Sequence, residues 1–166
     1  MRPAPALLRG LFVGALLMTL TLPAAAKPWK GMTPGKSTKA EVAKKFGKPT
    51  RELPNQGDCV TLASYQGDEA IAGARQSQFC FDANGKLLKI VVFPDTSLDR
   101  ETVSEAFGDE YRKRLTDDFV VYWHYEKDGL VVFFDKEGKL VSAVQYIEPR
   151  AASGKKGGAS GPADGE

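Results

Sequence analysis

The side chains able to do chemistry are few, and their spacing argues against catalysis. His124 is the single histidine, and on an alternating strand it shares a face with Tyr122, which suits a surface or core aromatic better than a general base. Asp117 and Asp118 precede an aromatic run, where solvated turn charge is the ordinary role of adjacent acids. Gly35-Lys36-Ser37-Thr38 has the end of a phosphate-binding loop. The glycine that such a loop needs five positions before its Gly-Lys pair is Lys30 here, and no strand-like run precedes it. We expect no enzyme, no catalytic residue and no cofactor.

Cys59 and Cys80 are the only cysteines. Zinc would need three or four His, Cys or acidic ligands, and a redox pair would want Cys-x-x-Cys, so no metal site is expected. On strands expected to be neighbours in an exported chain, the two predict a disulfide, with two buried thiols as the other reading.

Export is suggested by the start of the chain. Arg2 and Arg9 precede an apolar run over 10–22 and a small-residue site at Ala24-Ala25-Ala26, so 1–26 reads as a signal peptide cleaved after Ala26. The run is shorter than the roughly 20 residues that span a bilayer. No cysteine stands at the processing site, so no lipid anchor is expected and the product should be periplasmic or secreted. The chain holds 23 Lys and Arg against 21 Asp and Glu. Removing Arg2 and Arg9 leaves the numbers equal, so no basic field for nucleic acid is expected.

Residues 151–166 are mostly Gly, Ala, Ser and Lys and read as a disordered tail. About 120 residues remain over 27–150, enough for one compact domain.

The elements that must position these side chains follow from caps and turns. Thr38 with Glu41 forms a capping box, Val42 and Phe46 share a helical face, and Gly47 and Pro49 end the helix. Lys39, Lys44, Lys45 and Lys48 surround that helix, as a solvated face or as an anionic-lipid contact that would make peripheral membrane association possible but not favoured. Trp29, in an irregular lead-in, is expected to pack over a sheet edge. Residues 51–58 read as a loop, 60–65 as a strand, 67–74 as a small-residue connection and 78–93 as a hairpin.

A second series follows. Ser97 or Asp99 caps a helix carrying Val103 and Phe107, 110–115 suggests a further helical turn, 119–125 is an aromatic strand, and 130–147 is a hairpin. Phe81-Asp82-x-x-Gly85-Lys86-Leu87 aligns with Phe134-Asp135-x-x-Gly138-Lys139-Leu140 without a gap. Glycine there supplies a turn's positive φ, and the aspartate can accept from turn amides. The expected fold class is therefore α+β: two tandem helix-plus-antiparallel-sheet repeats, about 31–95 and 96–150, with about three strands each and helices packed on one sheet face.

Strict alternation would put Leu88, Ile90, Val92, Val141, Ala143 and Ile147 under the helices. It would leave Lys89, Phe93, Ser142 and Tyr146 on the other face, joined by Thr61, Tyr65 and Gln78 if a cross-strand Cys59–Cys80 bridge sets the register. Tyr65, Phe93, Tyr122, His124 and Tyr146 are then the candidate partner-binding residues, a mixture typical of protein-binding patches. The same aromatics could instead close a minor core between the two halves.

Gly31-Met32-Thr33, Thr38-x-x-Glu41-Val42 and Phe46-Gly47-Lys48-Pro49 resemble the helix signature of the SmpA/OmlA family of outer-membrane barrel-assembly lipoproteins. Trp123-x-Tyr125, Asp128-Gly129-Leu130-x-Val132-x-Phe134-Asp135 and Gly138-Lys139 resemble its sheet signature. The tandem arrangement is also similar to the β-lactamase-inhibitor protein. The resemblance covers most of 31–149 and departs from both families, lacking a lipidation cysteine and carrying Phe133 where a second-unit cysteine would match Cys80. It implies a non-enzymatic, protein-binding module of the cell envelope with an envelope or secreted protein as partner, or alternatively an inhibitor of a secreted hydrolase.

Overall fold

The computed structural model describes residues 26–149. The expected tail and all but Ala26 of the expected signal peptide lie outside the described residues. Two short helices, α1 (Lys39–Phe46) and α2 (Arg100–Phe107), accompany β1 (Arg51–Gln56), β2 (Cys59–Gln66), β3 (Ala74–Phe81), β4 (Leu87–Pro94), β5 (Arg112–Leu115), β6 (Val121–Tyr125), β7 (Leu130–Phe134) and β8 (Val141–Ile147). All eight strands belong to one antiparallel sheet in the order β1-β2-β3-β4-β8-β7-β6-β5.

That continuous, mostly β architecture overturns the expected α+β pair of helix-plus-sheet repeats with about three strands each. The central seam is the reason. Lys89, Ile90, Val91 and Val92 of β4 pair with Ile147, Tyr146, Gln145 and Val144 of β8, so the backbone groups that two separate small sheets would leave at their edges satisfy one another.

Two strands also arise where none was expected. Residues 51–58 form β1 and a turn into β2, with Pro54 tolerated because β1 is an edge strand. The stretch at 110–115, expected to add a helical turn, instead places Arg112 to Leu115 in register with β6, with all four residues exposed. Four long polar or aliphatic side chains have no helical partner face to bury, whereas an edge strand lets them stay in water. The aromatic strand is shorter than expected: Phe119 lies in a turn at φ 60°, and β6 begins at Val121.

The helices form for local reasons. Thr38 Oγ1 accepts from the Glu41 amide at 3.3 Å while Glu41 Oε2 accepts from the Thr38 amide at 2.7 Å, completing the reciprocal cap. Asp99, not Ser97, caps α2, accepting from the Thr102 amide at 2.9 Å. Each helix has eight residues, too short to persist alone. Packing holds them: Val42 and Val103 are buried, and Phe46 and Phe107 lie against the core.

Both helices cover the same sheet face. Phe46 meets Tyr65 and Phe79 at centroid distances of 6.1 and 5.6 Å, and Phe107 meets Tyr125 at 5.9 Å. The ladder aligns Ala63, Phe79, Ile90, Tyr146, Leu130 and Tyr125 across six strands on that face. Trp29 joins the same layer, 6.2 Å from Phe46 and 5.9 Å from Phe79, so it packs over the core and not over a sheet edge. The hairpin turns behave as their sequences predict: Asp82 Oδ1 accepts from the Asn84 and Lys86 amides at 2.9 and 2.8 Å, and Asp135 Oδ1 accepts from the Lys139 amide at 2.7 Å.

Candidate functional site

One sheet face is covered by helices; the other has no covering element among the described residues. The open face is defined by a row that crosses every strand: Arg51, Ser64, Gln78, Val91, Gln145, Val131, His124 and Arg112. A second row carries Arg114, Tyr122, Phe133 and Ala143. Tyr122 and Phe133 form a cross-strand aromatic pair with centroids 5.4 Å apart. A shallow recess beside them is lined by Tyr122, His124, Val131, Phe133 and Gln145 of the sheet and closed at one end by Leu115, Thr116 and Asp117. Phe93, paired with Gln76, extends the apolar surface on β4, with the Arg75 guanidinium 5.9 Å above its ring.

Of the five residues expected to meet a partner, the structure brings Phe93, Tyr122 and His124 to this face and removes two. Tyr65 is buried under α1 and donates its hydroxyl to the Gly47 carbonyl at 3.0 Å. Tyr146 is buried opposite Ile90 and Leu130. Burial pushes the Tyr146 hydroxyl up to about 12, and it raises Tyr65, with the Glu52 carboxylate adding to the effect.

Two irregularities in the ladder account for these corrections. Leu62, not Cys59, stands opposite Cys80, so the disulfide does not set the register and Tyr65 turns to the helix side. In β8 the pairing jumps from Phe134–Val141 to Phe133–Ala143. The bulge at Ser142 inverts the alternation, sending Val144 and Tyr146 to the core with Val141 and leaving Ala143 and Ile147 on the open side. A matching jump between Cys80–Lys89 and Phe81–Leu87 puts the fully buried Leu87, not Leu88, under the helices. Sequence reasoning also missed Phe133 and the buried Val131 as open-face residues: β7 alternates regularly, but its five residues are all apolar, so no polar position marks which side faces out.

Charge on the open face is predominantly positive. Arg51, Arg112 and Arg114 share it with Lys89, which pairs across β4–β8 with Ile147. The acids against them are Glu126, whose Oε2 is 3.3 Å from Arg112 Nε and whose Oε1 is 4.0 Å from His124 Nδ1, and Asp117 at the end of the recess. These contacts are solvated and weak. His124 has Arg112 across the ladder and Glu126 beside it, and it shares its recess with Thr116 and Asp117. Among the described residues no group of three or more His, Cys, Asp and Glu could hold a metal ion, and no helix is long and apolar enough to cross a membrane.

Cys59 and Cys80 are joined, with Cα atoms 5.2 Å apart. The bridge fits a secreted protein, since such bonds persist in oxidising compartments.

The architecture is that of a wide antiparallel sheet shielded on one side. It is shared with a DUF4309-family protein, YjgB, of Bacillus subtilis: TM-score 0.54, 17% identity, covering 75% of this chain and 88% of that one. That likeness concerns the fold alone. Looser matches are an extracellular protein containing an SCP domain from Bacillus anthracis (TM-score 0.45, 14% identity, 68% of this chain and 43% of that one) and a cysteine-rich secretory protein from Staphylococcus aureus (0.42, 14%, 76% and 46%). No family model matches the chain, and no curated protein does.

Proposed function

We propose that this chain is an exported, non-enzymatic protein-binding module of the cell envelope, and that it takes its partner on the open sheet face. The observation that carries this reading is the continuous surface formed by Tyr122, Phe133, Val91, Phe93 and His124 on a sheet whose other side is already filled. Half-buried aromatics beside arginines have the makeup of an interface centre. The cationic rim, Arg51, Lys89, Arg112 and Arg114, selects an acidic partner surface. The disulfide and the signal-like first 26 residues support an encounter in the periplasm or outside the cell. The motif resemblance to envelope assembly proteins is in keeping with that role.

The experiment is crosslinking and affinity capture from envelope extract with the wild type and with a Tyr122→Ala, His124→Ala, Phe93→Ala variant. Loss of a specific acidic protein from the variant, with an unchanged melting temperature, supports the reading. Equal recovery from both removes the patch from consideration.

A second reading is favoured by Phe119, 81% exposed at the tip of the β5–β6 hairpin. Such a projecting aromatic suits an inhibitor that occludes the active site of a secreted hydrolase. A panel of β-lactamases and proteases assayed with micromolar protein separates the two: inhibition lost in Phe119→Ala supports occlusion, and none at that concentration dismisses it.

A further inference from the structure

The two edges of the sheet are not equivalent. β1 carries Pro54, which has no amide to donate, and Asn55 at φ 51°, so its outer side offers an interrupted row of backbone groups. β5 has neither proline nor positive φ. Arg112, Lys113, Arg114 and Leu115 run in unbroken register with His124, Trp123, Tyr122 and Val121, every one exposed, with no strand on the outer side among the described residues.

Three successive cations decide what that edge will accept. A second copy would bring Arg, Lys and Arg against Arg, Lys and Arg, and this repulsion disfavours edge-to-edge pairing of like chains. The same charges favour an acidic segment. Alternation places Arg112 and Arg114 beside the open face and Lys113 on the helix side. Glu126 engages Arg112 from within the sheet, and the described residues show no ion pair to Lys113 or Arg114. At the end of the strand Leu115 is 57% exposed, and in the turn beyond it Phe119 is 81% exposed.

We propose that β5 is a docking edge for an extended acidic segment of the partner, which joins the sheet as a further antiparallel or parallel strand. This deepens the open-face reading and rests on it, naming the partner's chemistry and backbone mode. Main-chain hydrogen bonds to the free side of β5 supply the binding, acidic side chains opposite Arg112 and Arg114 supply selectivity, and the added strand borders the Tyr122–Phe133 patch.

The test is fluorescence anisotropy of the intact, oxidised chain with a blocked peptide alternating glutamate and threonine, at low salt. The expected result is saturable binding that weakens with salt and drops at least about tenfold when alternate peptide amides are N-methylated on either edge, because methylation removes strand pairing and keeps the charge. Arg112→Glu with Arg114→Glu should give a similar loss with its melting temperature retained. No binding, equal binding of the N-methylated peptides, or equal binding of a lysine-threonine peptide would overturn the proposal, and the N-methyl comparison holds even if the charge-reversed variant misfolds. If the peptide fails while partner capture still depends on Tyr122 and His124, the edge falls and the open face stands. If the peptide binds while capture ignores those residues, the open face falls instead.

Discussion

The Tyr125 hydroxyl donates to the Gly108 carbonyl at 3.0 Å, tying the end of α2 to the strand beneath it, and Tyr65 makes the corresponding bond to Gly47, also at 3.0 Å. In each case the carbonyl belongs to the glycine that ends the helix, at φ 80° and 79°. A short helix has too little hydrogen bonding of its own to hold its last turn. The phenol anchors that turn to the sheet.

Replacing either phenol by Phe keeps the packed ring and removes one bond. Tyr65→Phe and Tyr125→Phe should each cost about 1 kcal/mol of unfolding free energy, somewhat more if the glycine carbonyl is left dry. The two sites share no partner, so the double variant should be additive within about 0.5 kcal/mol. Urea denaturation followed by circular dichroism measures this, and a strongly cooperative loss would contradict independent anchoring.

Alkaline pH should unfold the chain through its buried tyrosines. Tyr125 is pushed up to about 12 chiefly by burial, with Tyr111, Asp109 and Asp128 adding, and Tyr146 is pushed up to about 12 by burial. A raised folded value means the neutral phenol is favoured in the native state, so this stabilisation is complete below the ordinary value near 10 and disappears as pH climbs through about 12. Phenolate absorbance from Tyr125 and Tyr146 should therefore rise together with loss of secondary structure. Ionisation of both in a chain that keeps its ellipticity would refute their burial.

Gly129 is fixed by its surroundings as well as by its φ of 63°. It turns the chain from β6 into β7, its carbonyl accepts from the Ile147 amide at 2.8 Å, and a Cβ there would strike the Ile147 carbonyl oxygen and the Pro149 ring. Gly129→Ala should destabilise by more than about 1 kcal/mol. Gly57→Ala, at a similar φ of 59° with open space around it, should cost less. The difference in melting temperature between the two variants reads the backbone clash apart from φ strain.

Reduction of Cys59–Cys80 should lower stability by about 3 kcal/mol, the chain-entropy value for a loop of this size, given a separation of 21 residues. The urea midpoint with and without reductant measures it. An unchanged midpoint would contradict the chain-entropy account of this bridge.

The sequence by itself determined the local pieces of this protein. Thr38 with Glu41, Gly47, Asp82 with Gly85 and Asp135 with Gly138 act through bonds spanning a few residues, so their caps and turns were legible without knowing the fold. The paired cysteines and the Phe93, Tyr122 and His124 part of the candidate face could be read at the same level. Tertiary structure decided the rest. A bulge at Ser142 reversed the inside-outside alternation along the rest of β8 and buried Tyr146, and a bulge at Leu88 put Leu87 in the core in its place. Pairing of β4 with β8 fused what looked like two sheets, and β1 and β5 became strands only because long-range partners were waiting for polar segments that alternation alone does not mark. Register is a relation between distant backbones, and a shift of a single residue moves every later side chain to the opposite face.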